Sequence, residues 1–182
     1  MANENILDKK LVYINSINVP ADNFIGGTNF DFFYNLEDAV RGAVYIKLLK
    51  AEVSLNPGVN INGVAVADGD PIYVSLKKYN RMSVSILGKL LKCFEVITLN
   101  IYEKYGTGSL PGKEVPFKTE YTGIGCNPLD TNTFILDPIE PNLKRIDVQL
   151  YDKNYNLIPK SLIKYFTLTL CIYSTRKKIT MA

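Results

Sequence analysis

Apolar and polar residues alternate with a period of two along most of this chain, and the clearest runs lie near its C-terminal end. Ile146, Val148 and Leu150 alternate with Asp147, Gln149 and Tyr151, as the two faces of a half-buried strand do. A turn-prone cluster, Lys153-Asn154-Tyr155-Asn156, follows Asp152, and its asparagines tolerate the left-handed backbone region. A second run then places Phe166, Leu168, Leu170 and Ile172 on one face, with Thr167, Thr169, Cys171 and Tyr173 on the other. Threonine in such a run is strand chemistry, because β-branched side chains fit a pleated surface better than a helical turn. The pattern therefore predicts two long closing strands.

Upstream, residues 1–10 are polar and read as an arm, and Leu11–Ile14 reads as a short strand stopped before Pro20. From Phe30 to Leu36 the spacing puts Phe30, Phe32 and Tyr34 on one face and Phe33 on the other, a core strand. Asn35–Arg41 reads as a turn of helix ended by Gly42. In Val44–Leu55 the apolar set changes parity: Val44, Ile46 and Leu48 share one face, while Ala51, Val53 and Leu55 continue on the other. A β-bulge near Leu49-Lys50 restores a single buried face. After a loop at 57–70, Ile72, Val74 and Leu76 form another strand. Between Ser83 and Phe94 the residues Val84, Leu87, Leu91 and Phe94 recur at helical spacing around Gly88, which reads as a short helix or an apolar crossover. Ile97, Leu99 and Ile101 resume the alternation, and short strands are expected at Phe117–Thr122 and Thr133–Leu136 beyond a Gly/Pro-rich loop at 105–116.

About eight strands separated by Gly, Pro and Asn breaks, with no αβ alternation, predict an all-β antiparallel sandwich. Long end loops at 56–70 and 103–116 suit a single jelly roll. The expected organisation is an arm at 1–10, one domain at 11–175 and a basic tail at 176–182.

The closing run, LKRIDVQLYDKNYNLI and then YFTLTLCIYS, resembles the closing strands of the single-jelly-roll penton and minor capsid proteins of large eukaryotic DNA viruses and virophages. Leu143, Ile146, Val148, Leu150 and Asp152 stand at the positions of one strand of that pattern, and Phe166, Leu168, Leu170 and Ile172 at those of the next. Asn154 and Asn156 occupy the place of the family's usual turn glycine. NFDFFYNL followed by VYIKLLKAEVSL is similar to the way the family opens its sandwich. The resemblance implies a structural virion protein assembled in the host cytoplasm, packed against copies of itself and against neighbouring major and minor capsid proteins. For a penton it implies a fivefold ring.

Composition narrows the chemistry. With 47% hydrophobic and 21% charged residues in 182, the chain can bury a core and is not a disordered one. It contains no histidine, which removes Ser-His triads, histidine metal ligands and a near-neutral imidazole base. Cys93, Cys126 and Cys171 are odd in number and widely spaced, fitting buried thiols in a reducing compartment better than a disulfide framework or a zinc site. The N-terminus lacks the plan of a signal peptide, and no apolar run approaches the roughly 20 residues of a membrane helix. These features lead to the expectation of a chain that is not secreted and carries no transmembrane segment.

Catalytic motifs fall short one by one. Gly112-Lys113 lacks both the earlier glycine and the following Ser/Thr of a phosphate loop, since Thr107 and Glu114 stand there. Asp68 and Asp70 lack the other ligands of a calcium loop and read as a solvated turn. Glu95, Glu103, Glu120 and Asp147 lie on or beside strands and are the carboxylates from which a hydrolytic pair would be drawn. Each also stands where an exposed strand face carries a charge. The expectation is therefore no enzyme, no cofactor, no metal and no small-molecule substrate. Arg176, Lys177 and Lys178 form a basic cluster past the last strand. It reads as a solvated end, or as a contact with nucleic acid, an anionic inner membrane or an acidic neighbour. The alternative function is a receptor- or carbohydrate-binding jelly roll of a spike or fibre, with Tyr102, Tyr105, Tyr121 and Tyr155 as its platform.

Overall fold

The computed structural model describes residues 7–56, 60–61, 63–65, 67, 69–98, 115–120 and 133–175. Its strands are β1 (Leu7–Asn15), β2 (Asp31–Leu55), β3 (Asn60–Ile61), β4 (Val64–Ala65), β5 (Pro71–Ser75) and β6 (Met82–Ile86). They continue with β7 (Lys89–Cys93), β8 (Glu95–Thr98), β9 (Val115–Glu120), β10 (Thr133–Tyr151) and β11 (Ile163–Thr175). Helical structure among the described residues is confined to short 3₁₀ turns such as Ser16–Asn18 and Lys77–Tyr79. The protein is all-β and antiparallel, consistent with a single jelly-roll sandwich.

One sheet runs in the order β1-β11-β2-β10-β5-β8, with β9 also paired to β2; β3–β4 and β6–β7 form separate two-stranded hairpins. The long strands β2 and β10 make this sheet curl. β2 pairs with β10 from Asp31, opposite Gln149, to Lys47, opposite Thr133, and with β11 from Ala43 to Leu55, so its middle is flanked by both while its two ends each keep one of them. Those ends then face one another: Phe30, at the entry to β2, meets Phe166 of β11 edge to face at 5.9 Å. Phe24, Phe30 and Phe32 extend that cluster. Ile146, Val148, Leu150, Phe166, Leu168, Leu170 and Ile172 are all fully buried between the layers, as their alternation predicts.

The expected bulge is present. Thr169 pairs with Lys50 and Leu170 with Leu48, so Leu49 is the extra residue. A second shift, between Tyr173–Tyr45 and Ser174–Ala43, was not legible in the pattern. It turns Val44 away from Ile46 and Leu48 and into an outer cluster with Cys171 and Tyr173.

Other expectations are corrected. Asn35–Arg41 is not helical but continuous with β2; Leu36 and Val40 are both buried, and a spacing of four suits either period. Ser83–Phe94 is neither helix nor crossover but the β6–β7 hairpin. Its turn residues Leu87 and Gly88 have φ of 50° and 74°, the pattern of a type I′ turn. In the 152–156 turn the left-handed residue is Tyr155 (φ 63°), not an asparagine. Residues 7–10 of the expected arm belong to β1, whose pairing starts at Leu7 opposite Thr175. Thr133–Leu136 is joined to the next run as one strand, and the two closing strands lie on either side of β2.

Candidate interaction surface

Among the described residues the four most exposed large apolar side chains lie in two parts of the surface, with Ile25, Ile135 and Ile139 exposed elsewhere. At one end of the sheet order, β1 sends Val12 and Ile14 into the core and Leu11 and Tyr13 outward. Leu11 is 69% exposed and Tyr13 57%, and Ile17 in the next turn is 67% exposed. An edge strand of nine residues with an apolar outer face is a ready surface for another subunit.

The second part is the β6–β7 hairpin. Cross-strand partners share a face, so Val84–Leu91 and Met82–Cys93 point inward over Tyr73, Val96, Tyr151 and Tyr155. Ser83–Lys92 and Ser85–Leu90 point outward. Leu87 at the turn and Leu90 beside it are 83% and 75% exposed. The 152–156 turn clamps this hairpin to the sheet. Asp152 Oδ1 accepts from the backbone N–H groups of Asn154 (2.9 Å) and Asn156 (2.8 Å), which forms the turn that carries Tyr155. The Tyr155 ring then stacks on Tyr151 at 4.3 Å and lies 5.6 Å from Tyr73, and its hydroxyl donates to the Lys92 carbonyl. Burial, with smaller contributions from Tyr151, Cys93 and Tyr73, pushes the Tyr155 hydroxyl up to about 12.

Four of the described carboxylates, Glu95, Asp147, Asp31 and Asp70, are engaged by cations. Glu95, on β8, forms a buried ion pair with Arg81, whose guanidinium lies 5.5 Å from the Phe94 ring centre, and also accepts from the Val96 N–H at 2.8 Å. Asp147 is bound by Arg145, Nε to Oδ1 2.9 Å, and Arg145 stacks on Phe33 at 4.1 Å. Asp31 accepts from Gln149 Nε2 at 2.8 Å and pairs with Lys77 at 3.0 Å. Asp70 accepts from the Ala67 N–H at 2.9 Å and pairs with Lys153 at 3.0 Å, a turn made of its own contacts. Burial, then the neighbouring Glu95, pushes the Cys93 thiol up to about 11 against the opposing pull of Arg81. A thiol held protonated in this way is not an activated nucleophile. Among the described residues no cluster of three or more acidic or cysteine side chains is placed to hold a metal.

Open cavities formed by described residues lie away from the hairpin. One, of about 870 Å³, is lined by Lys9, Lys10, Arg41 and Thr175 among others; another, of about 590 Å³, by Thr28, Asn56, Pro159 and Lys160.

No protein-family model and no curated protein matches the chain. Among the described residues no helix is long and apolar enough to cross a membrane.

Of the residues singled out from sequence, Arg176, Lys177, Lys178, Tyr102, Tyr105, Tyr121, Glu103 and Cys126 lie outside the described residues, as does most of the 103–116 loop. Glu120 ends β9 opposite Lys50. Tyr155 is a clamp on the hairpin, which occupies its ring and its hydroxyl. The hairpin tip and the outer face of β1 were not foreseen. The signal for the tip was Leu87-Gly88 between two alternating runs, which read as a helix because Val84, Leu87 and Leu91 are also helically spaced.

Proposed function

We propose that the chain is a structural component of an icosahedral virion, a penton or minor capsid protein, that acts by packing against its neighbours. The observation that carries this reading is the strand pattern of Leu143–Asp152 and Phe166–Ile172, set in an all-β sandwich. Two features support it. The core is continuous through both layers, giving a shaped block, and β1 offers an apolar edge through Leu11, Tyr13 and Ile17. A head-to-tail contact through such an edge closes into a ring when the rotation between copies matches the symmetry. In the shell the remaining partners are adjacent capsid proteins, with the basic tail available to an inner membrane or to nucleic acid.

Native mass spectrometry of the purified chain tests the reading. Pentamers are expected, and Leu11→Ser with Tyr13→Ser is expected to shift them to monomer while the sandwich still melts cooperatively. A chain that stays monomeric at every concentration and is not retained in assembled particles overturns it.

A further inference from the structure

Leu87 carries two unfavourable features at once. It sits in the left-handed region, which disfavours any residue with a Cβ, and its side chain is 83% exposed, so no contact inside the protein offsets that strain. Leu90 adds a second apolar side chain, 75% exposed, on the outward face. Between and beside them stand Lys89 and Lys92, both exposed. The whole stretch from Lys77 to Cys93 contains Lys77, Lys78, Arg81, Lys89 and Lys92 and no Asp or Glu. Lys77 and Arg81 are paired behind the hairpin with Asp31 and Glu95. Beyond those pairs Lys78, Lys89 and Lys92 are exposed; Lys92 shares the outward face with Leu90, and Lys89 adjoins the turn opposite Ile86. Tyr155 holds the element in place beforehand, so docking it does not require ordering a loop.

We propose that this tip docks on an anionic lipid bilayer, with Leu87 and Leu90 inserted at the boundary of the acyl chains and Lys89 and Lys92 at the headgroups. A bilayer of that kind supplies an apolar interior beneath a negative surface, which is the sequence of environments the hairpin presents in reverse. A second copy of the chain is a poorer match. Of the open cavities formed by described residues, one carries Lys9, Lys10 and Arg41 beside a single Asp8 and the other carries Lys160, so both present net positive charge to a lysine-flanked tip. The inference is independent of the virion reading, since it needs no ring and does not involve β1.

Vesicle co-sedimentation of the full chain tests it, using phosphatidylcholine alone and phosphatidylcholine mixed with phosphatidylserine. Binding is expected to the mixed vesicles and not to the neutral ones. Leu87→Asn with Leu90→Ser is expected to weaken that binding about tenfold or more. This variant should fold at least as well as the parent, because Asn-Gly is a favoured type I′ pair. The chain has no tryptophan, so Leu87→Trp introduces a single reporter. Its emission is expected to shift to the blue on mixed vesicles and to be quenched by brominated acyl chains. Full binding by the Leu87→Asn/Leu90→Ser variant, equal binding to neutral vesicles, no binding at all, or an unquenched tryptophan overturns the proposal. The last of these would point to a protein partner. Vesicle binding by a chain that forms no pentamer would sustain this inference while removing the ring.

Discussion

The hydroxyl of Tyr155 donates a hydrogen bond to the main-chain carbonyl of Lys92, tying the 152–156 turn to the second strand of a hairpin some sixty residues earlier (|i−j| = 63). That bond and the ring stack on Tyr151 are the means by which a two-stranded element outside the main sheet keeps a fixed position. Tyr155→Phe retains the stack and removes the bond. It should cost about 1 kcal/mol in chemical denaturation. Amide exchange should accelerate in residues 82–93 more than in β2 or β11, and uniform acceleration would show that the hairpin does not depend on the clamp.

The Arg81–Glu95 pair is buried, with side-chain exposures of 11% and 2%. Removing one partner leaves the other charged and desolvated. Arg81→Met should therefore destabilise the fold by about 3 kcal/mol. Arg81→Met with Glu95→Leu should recover most of that loss, because no unpaired charge then remains. A double variant as unstable as the single one would mean that packing, not charge, dominates the site.

Gly42 has φ of +64°, and a Cβ there would lie 3.0 Å from Thr175 Oγ1. It stands where β2, still paired along β10, gains β11 on its other edge. Gly42→Ala is expected to lower stability by about 1–2 kcal/mol from the backbone conformation and the tight approach together. An unfolding midpoint equal to that of the parent would show that β2 can pass this point with ordinary backbone angles.

Alkaline pH should weaken the fold. Burial, followed by the nearby Glu140 and Asp147 carboxylates, pushes the Tyr79 hydroxyl up from 10.0 to about 12, and its oxygen lies 3.5 Å from Glu140 Oε2. Tyr155 rises to about 12 and Cys93 from 9.0 to about 11. For each group the folded state holds its proton more tightly than the unfolded chain does. Their contribution is thus fully present below the unfolded values and is lost as pH rises through about 9 to 12. Denaturation midpoints at pH 8, 10 and 11 are expected to fall in that order, and Tyr79→Phe is expected to flatten the upper part of the decline.

Face and parity were legible in the sequence because they are local properties. Phe166, Leu168, Leu170 and Ile172 point the same way in any strand, and the parity change between Leu48 and Ala51 requires an extra residue whatever the partner is. Where local periods coincide, the sequence could not choose. Leu36 and Val40 fit a helix as well as a strand, and Val84, Leu87 and Leu91 belong to a hairpin in which only two of the three pack inward.

The chain alone thus determined that strands would form and which way most side chains would face, since steric preference and pleat act over a few residues. Only the tertiary structure decided that β2 lies between the two closing strands, that Val44 turns to the outer cluster, and that Leu87 is left in solvent. Those outcomes depend on which distant backbones pair and which faces close together, and contacts between residues far apart in sequence leave no period to read.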